Sequence, residues 1–258
     1  MIEWTQKDGV IELALSNEPC NEIGTQMLEA LEAFLDDIDP SQANALIIYS
    51  TLDSGFCAGA DLRELYHGMS TRPQSEHLPE IRTFLDRVHS VMDRLDTLPL
   101  TTIGVINGLC FGGGFELALT CDLLIAERRA RFAFPELRLG IIPGFGGIPR
   151  LKRDLGNSVV RDLLLTGRSI NAKKACAIGL ASQMVATGEG LAAARMAAAQ
   201  SVKFDKEAMV CAKEFIKFLP VAELAREKEH FLQLSQNPRL MQSLKTFVES
   251  TDIRPYLV

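Results

Sequence analysis

A chain of 258 residues, 47% hydrophobic and 23% charged, has the makeup of a globular protein with apolar material for a large core. Its 27 basic and 33 acidic residues leave a net charge of −6, which argues against non-specific nucleic-acid binding, since that needs a basic surface. No apolar run reaches the ~20 residues that span a bilayer, and residues 1–7 are too polar for a signal peptide. The expectation is a cytoplasmic protein with neither a membrane nor a nucleic-acid partner.

Lys7-Asp8-Gly9 reads as a turn into a strand over residues 10–15. Met27, Leu28, Leu31, Phe34, Leu35 and Ile38 recur at helical spacing, and Pro40 ends that helix. Residues 45–49 form a short apolar run typical of a buried strand. A loop containing Phe56-Cys57-Ala58-Gly59-Ala60-Asp61 follows. Residues 67–79 are polar and punctuated by prolines, and are predicted to be a mobile segment near a pocket mouth. An amphipathic helix is predicted over 81–95 and another buried strand over 101–106.

That strand runs into Asn107-Gly108-Leu109-Cys110-Phe111-Gly112-Gly113-Gly114-Phe115-Glu116, with a helix predicted to continue to about 120–122 and a strand over 123–126. A glycine triplet lets backbone pass close to a ligand. A helix starting there aims free N–H groups and its positive dipole end at that ligand. Glu116 would sit in the first turn, facing the same spot. Backbone donors beside a carboxylate suit chemistry on a carbonyl, the donors holding an oxyanion and the carboxylate moving a proton.

Twenty positions later Phe134-Pro135-Glu136 places a second glutamate, followed by Leu139-Gly140 and Pro143-Gly144-Phe145-Gly146-Gly147. Two glutamates in apolar surroundings can form a general base and acid pair, because burial and mutual repulsion raise a carboxyl pKa. The spacing alone does not bring the two side chains together; each glutamate taken singly also reads as an exposed charge. Beyond residue 150 helices are predicted over 159–165, 172–178, 190–200, 206–219, 222–236 and 240–249. The chain reads as an α/β core over 1–200 and a helical C-terminal part over 201–258.

The six cysteines and four histidines show no metal spacing, and reduced thiols are expected. No metal site is expected. A G-x-G-x-x-G nucleotide fingerprint fails because Leu117 stands at its third glycine, and no G-x-S-x-G or G-x-x-x-x-G-K occurs.

Four motifs in register, Ala58–Asp61, Asn107–Asp122, Phe134–Glu136 with Leu139-Gly140, and Pro143–Gly147, closely resemble the crotonase superfamily, and within it the enoyl-CoA hydratases. The resemblance covers roughly residues 8–200. It implies an α/β, crotonase-like spiral of ββα units with a helical C-terminal trimerisation part, assembled as a homotrimer or dimer of trimers and acting on acyl-CoA. It further implies an oxyanion hole from the N–H groups of Ala60 and Gly113, catalytic Glu116 and Glu136, and a backbone donor at Gly144 for the water. Coenzyme A, part of the substrate and not a separate cofactor, would lie near Ala58 and Asp61, with Arg63 a candidate phosphate contact.

The implied reaction is addition of water across the 2,3 double bond of an enoyl-CoA, or the reverse. A Δ3,Δ2-enoyl-CoA isomerase shares the fold but needs one proton shuttle, commonly at the Glu136 position. Another reaction of the superfamily on a carrier-protein-bound acyl group is a further alternative. A non-catalytic acyl-CoA-binding role is opposed by the intact glutamate pair. The chain departs from the family pattern at Cys20-Asn21-Glu22-Ile23, at Ile148-Pro149 and in its C-terminal stretch, which lacks the usual basic ending.

Overall fold

The computed structural model describes residues 1–250. The last eight residues of the predicted C-terminal part, 251–258, lie outside the described residues. The chain opens with an antiparallel hairpin, β1 (Ile2–Lys7) and β2 (Val10–Leu15), and then α1 (Thr25–Asp37). The next turn runs β3 (Ala45–Ser50), β4 (Gly55–Cys57), α2 (Leu62–Thr71) and α3 (Gln74–Asp96). A third runs β5 (Thr101–Ile106), β6 (Leu109–Phe111) and α4 (Gly113–Ala118). A fourth runs β7 (Leu123–Glu127), β8 (Arg131–Ala133), a 3-10 turn over Glu136–Leu139, and α5 (Gly147–Thr166). Then come β9 (Ile170–Asn171), α6 (Ala172–Ala177), β10 (Gln183–Val185) and α7 (Gly190–Ser201). Three helices follow: α8 (Lys206–Ile216), α9 (Val221–Ser235) and α10 (Pro238–Glu249).

Successive turns feed two sheets, one of order β1-β2-β3-β5-β7-β10 and one of order β4-β6-β8-β9. Each middle turn leaves one strand in each sheet, so the chain is a spiral of ββα units. The first turn supplies β2 and, in the second sheet, only a single parallel bridge from Ile23 to Ala60. β3 and β5 have parallel partners on both sides, which is why they read as continuous apolar runs rather than alternating ones. α1 buries Met27, Leu28, Leu31, Phe34 and Leu35, the stripe its sequence spacing lays out.

This topology assembles the site. β4, β6 and β8 are parallel neighbours, so their C-terminal ends lie side by side. Ala60 follows the first of these ends, Gly112 the second and Glu136 the third. Three groups far apart in sequence thus arrive on adjacent rungs of one sheet.

Residues 67–79, expected to be a mobile segment near a pocket mouth, contribute His67, Met69, Arg72, His77 and Pro79 to the lining of a cavity. The segment is helical except at Arg72 and Pro73, between α2 and α3. Asp61 caps α2 by accepting the Arg63 and Glu64 N–H groups, 3.0 and 2.9 Å away. Pro79 lies in the second turn of α3, and the helix continues through it. α4 also ends at Ala118, short of the predicted 120–122, and α5 starts twelve residues before the predicted 159.

The C-terminal helices share the main core, to which Phe231, Leu232, Leu240 and Leu244 belong. They are also tied in by charge. Lys213 and Lys217 of α8 both donate to Asp122 at 2.8 Å, and Lys217 lies 3.1 Å from the buried Asp96. Asp122 also accepts the Thr102 N–H, so its role is structural. Among the described residues no helix is long and apolar enough to cross a membrane.

Candidate active site

The polypeptide changes direction at Gly112, whose φ of +49° places it where side chains are strained. α4 then starts with its first N–H groups unpaired by the helix. The Gly113 and Ala60 amides adjoin. A Cβ built on Gly113 would lie 3.3 Å from the Ala60 nitrogen, and one on Gly59 3.3 Å from the Gly113 nitrogen. Neither N–H donates to a protein acceptor among the described residues. The bridge at Ile23 explains how Ala60 is aimed. Ile23 N–H donates to Gly59 O and Asp61 N–H to Ile23 O, which turns the intervening Ala60 N–H the other way.

The close packing depends on Gly114 as well. A Cβ there would meet the Cys57 carbonyl oxygen at 2.3 Å, a backbone atom that cannot swing aside. Gly114→Ala is expected to cost about 3 kcal/mol by overpacking, read as a lower denaturation midpoint. A midpoint equal to wild type would show that α4 is free to slide off β4.

Both predicted glutamates are buried here, Glu116 2% and Glu136 7% exposed. The Oε1 of Glu116 accepts the Phe145 and Gly147 N–H groups at 2.8 and 2.7 Å. Burial pushes the Glu116 pKa up to about 7; the Gly147, Phe145 and Gly144 amides and the Arg150 guanidinium hold it from rising further. Glu136 lies over Gly112, where a Cβ would come 2.7 Å from its Oε1. Its Oε2 has no hydrogen-bond partner among the described residues. Burial, and next the charge of Glu116, push its pKa well above the carboxylate range. Both carboxyls are therefore pushed above the usual carboxylate range by burial.

The loop carrying Gly144 to Ile148 is held on every polar group that the structure accounts for. His89 of α3 lies 2.8 Å from Gly144 O, so its Nε2 carries the proton; burial lowers the His89 pKa and keeps the ring neutral. Arg150, fully buried, donates to Phe145 O at 3.0 Å and to Asp96 at 2.8 Å. A third carboxylate, Glu227 of α9, accepts the Gly146 and Ile148 N–H groups at 2.7 and 2.8 Å. Sequence reasoning missed Glu227, His89 and Arg150. Gly144, the expected water donor, lies in this loop, and its amide is among the groups that lower the Glu116 pKa.

A cavity of about 640 Å³ runs from Ala60 between α2 and α3 to Phe145 and Phe231. Phe115 stacks on Phe134 at 4.6 Å in the core. The residues expected at the coenzyme end make contacts of their own. Ala58 N–H donates to Cys20 O, and the Asp61 carboxylate is occupied as a helix cap. Arg63 lies 3.5 Å from Glu22 and over the Phe247 ring at 5.2 Å. The cysteines are free, and Cys57, Cys110 and Cys121 are buried with thiols pushed far from ionisation. Among the described residues no cluster of side chains is placed to hold a metal ion.

The family model for enoyl-CoA hydratase/isomerase matches residues 5–254. The methylglutaconyl-CoA hydratase of Mus musculus is 34% identical over 204 residues, covering 78% of this chain and 59% of that protein. The chain spans less than two thirds of the length of the curated relatives it matches. An enoyl-CoA hydratase structure from Bacillus halodurans shares the fold, with a TM-score of 0.82 at 23% identity over 95% of this chain and 99% of that one. One from Bacillus anthracis gives a TM-score of 0.76 at 27% identity, over 96% of each chain.

Proposed function

Since the chain belongs to the enoyl-CoA hydratase/isomerase family, we propose that it adds water across the 2,3 double bond of an enoyl-CoA thioester, or removes it in reverse. The observation that carries this reading is the unequal glutamate pair beside two unclaimed amides. Glu116 is fixed by two N–H donors, whereas the buried Oε2 of Glu136 has no hydrogen-bond partner among the described residues. That difference suits the division of labour in a hydration.

The thioester oxygen takes the Ala60 and Gly113 N–H groups, which draw electron density from the β-carbon. Glu116 removes a proton from water, and the water oxygen bonds to the β-carbon. The electron pair of the double bond moves onto the α-carbon and thioester oxygen. Glu136 then delivers its proton to the α-carbon, and water has been added in full. The Gly144 amide lies on the same loop, within reach of a water held by Glu116. Coenzyme A would run along residues 58–63, with Arg63 as phosphate contact and the acyl chain in the cavity between α2 and α3.

A homotrimer or dimer of trimers is the proposed assembly. Phe215, Ile216, Phe218 and Val221, at the end of α8 and the start of α9, are exposed apolar side chains in need of cover.

The test is loss of the enoyl-thioester absorbance when the purified protein meets crotonyl-CoA. Hydration is expected to remove it. Inertness toward crotonyl-CoA combined with conversion of a 3-enoyl-CoA would reassign the protein as an isomerase, and inertness toward both would leave binding without catalysis.

A further inference from the structure

We infer that Glu227 is a positioning residue for the reaction just proposed: its carboxylate fixes the loop over residues 144–148 so that the Phe145 and Gly147 amides point at Glu116. The inference deepens the hydratase reading and rests on it for its kinetic consequence.

Four consecutive backbone amides are shared between two carboxylates in alternation. Phe145 and Gly147 donate to Glu116; Gly146 and Ile148 donate to Glu227. The loop therefore lies between two acceptors, one from α4 and one from α9, each taking every second N–H. Gly146, with φ of +101°, supplies the bend that keeps the alternation going into α5. Releasing one side frees the loop to rotate and withdraw the donors from the other.

Glu227 does this in a closed environment, 4% exposed. Burial and the charge of Glu116 push its pKa well up, opposed by the two amides and by Arg150. The other charged groups of α9 look elsewhere. Glu223 pairs with Lys152, Lys228 with Asp86 and Glu229 with Arg82, all on the surface. From α3, His89 holds Gly144 O, and Asp93 pairs with Arg150. Both Glu227 oxygens are taken up by the loop amides. Its influence on a substrate passes through Glu116.

Both carboxyl oxygens are needed because each accepts one N–H. Glutamine offers one oxygen and an NH₂, which would face a second donor and leave a buried N–H unpaired. The full-length wild type, Glu227→Gln and Glu227→Asp are to be compared with crotonyl-CoA, and Glu227→Gln again on a Glu116→Gln background. Backbone amide exchange at Phe145 and Gly147 is to be followed without substrate.

Glu227→Gln is expected to lower kcat about 10²-fold, the scale of a small misplacement of a catalytic group, with KM within about threefold of wild type. On the Glu116→Gln background the further loss should be under about threefold, since the route through Glu116 is already gone. Exchange at Phe145 and Gly147 should quicken about tenfold or more. Unchanged kcat, an undiminished loss on the Glu116→Gln background, or unchanged exchange overturns the inference.

If the wild type turns over no substrate, the hydratase reading fails, and the exchange rates still decide whether Glu227 holds the loop. If Glu227→Gln does not fold, Glu227→Asp, which keeps both oxygens on a shorter stem, carries the same comparison. If neither folds, the carboxylate serves the fold rather than Glu116, and the inference falls.

Discussion

Glu136→Gln is expected to lower kcat for crotonyl-CoA hydration about 10²- to 10⁴-fold while acyl-CoA binding stays near normal. Glutamine has the shape of the protonated acid but no proton to deliver to the α-carbon. The replaced Oε2 has no hydrogen-bond partner among the described residues, so the change breaks no hydrogen bond there. Glu116→Gln should be comparably slow for a different reason. Its amide oxygen can still accept the Phe145 and Gly147 N–H groups, which preserves the loop, yet a neutral amide cannot draw a proton from water. Turnover near wild type in either variant removes that glutamate from the mechanism, and an unbound acyl-CoA would show instead that the cavity had collapsed.

The same substitution is expected to make the protein more stable. The Glu116 pKa stands at about 7 in the folded chain against 4.5 as its ordinary value. The folded state thus holds a proton that the unfolded chain gives up more readily. The associated stability is fully present below pH 4.5 and is lost as pH rises through 7. A rise of this size corresponds to about 3 kcal/mol. Glu116→Gln carries no charge and escapes the loss. Its melting temperature should match that of wild type near pH 4.5 and exceed it by about 6–12 °C at pH 8. A variant that melts at or below wild type at pH 8 would show that the loop amides and Arg150 repay the whole cost of burying this charge. A protein that is less stable with its glutamate than without it has retained the residue for chemistry.

What could be read from the sequence was whatever backbone freedom or a long apolar period imposes. Gly112–Gly114 and Glu116 stand out because only glycine permits the turn at Gly112 and the approach of Gly114 to Cys57. α1 and β3 were legible because their apolar spacing is long enough to show a period. β4, β6 and β8 have three residues each, too few for any period, although they carry the site. The first half of α5 was hidden by Gly147, Pro149 and Gly156; Pro149 is tolerated because the first helical residues donate no intrahelical bond. Glu227 is one acidic residue among 33, between Arg226 and Lys228 on a helix that reads as a solvated charged face. Its partners are backbone amides 79 and 81 residues away, and backbone leaves no mark in a side-chain pattern. The cap that the Asp61 carboxylate makes on α2 was not read from the sequence, because α2 itself was not predicted.

The grip of α9 on the Gly146 and Ile148 amides bears on the order in which a ribosome delivers this chain. Both glutamates, the Ala60 and Gly113 amides and the whole glycine loop have been synthesised by residue 148, but the acceptor for two of that loop's amides arrives only with residue 227. A nascent chain, or one cut between α7 and α9, would carry the reacting groups without the means to hold them in register. On the proposed mechanism, full activity would therefore wait until α9 has been made.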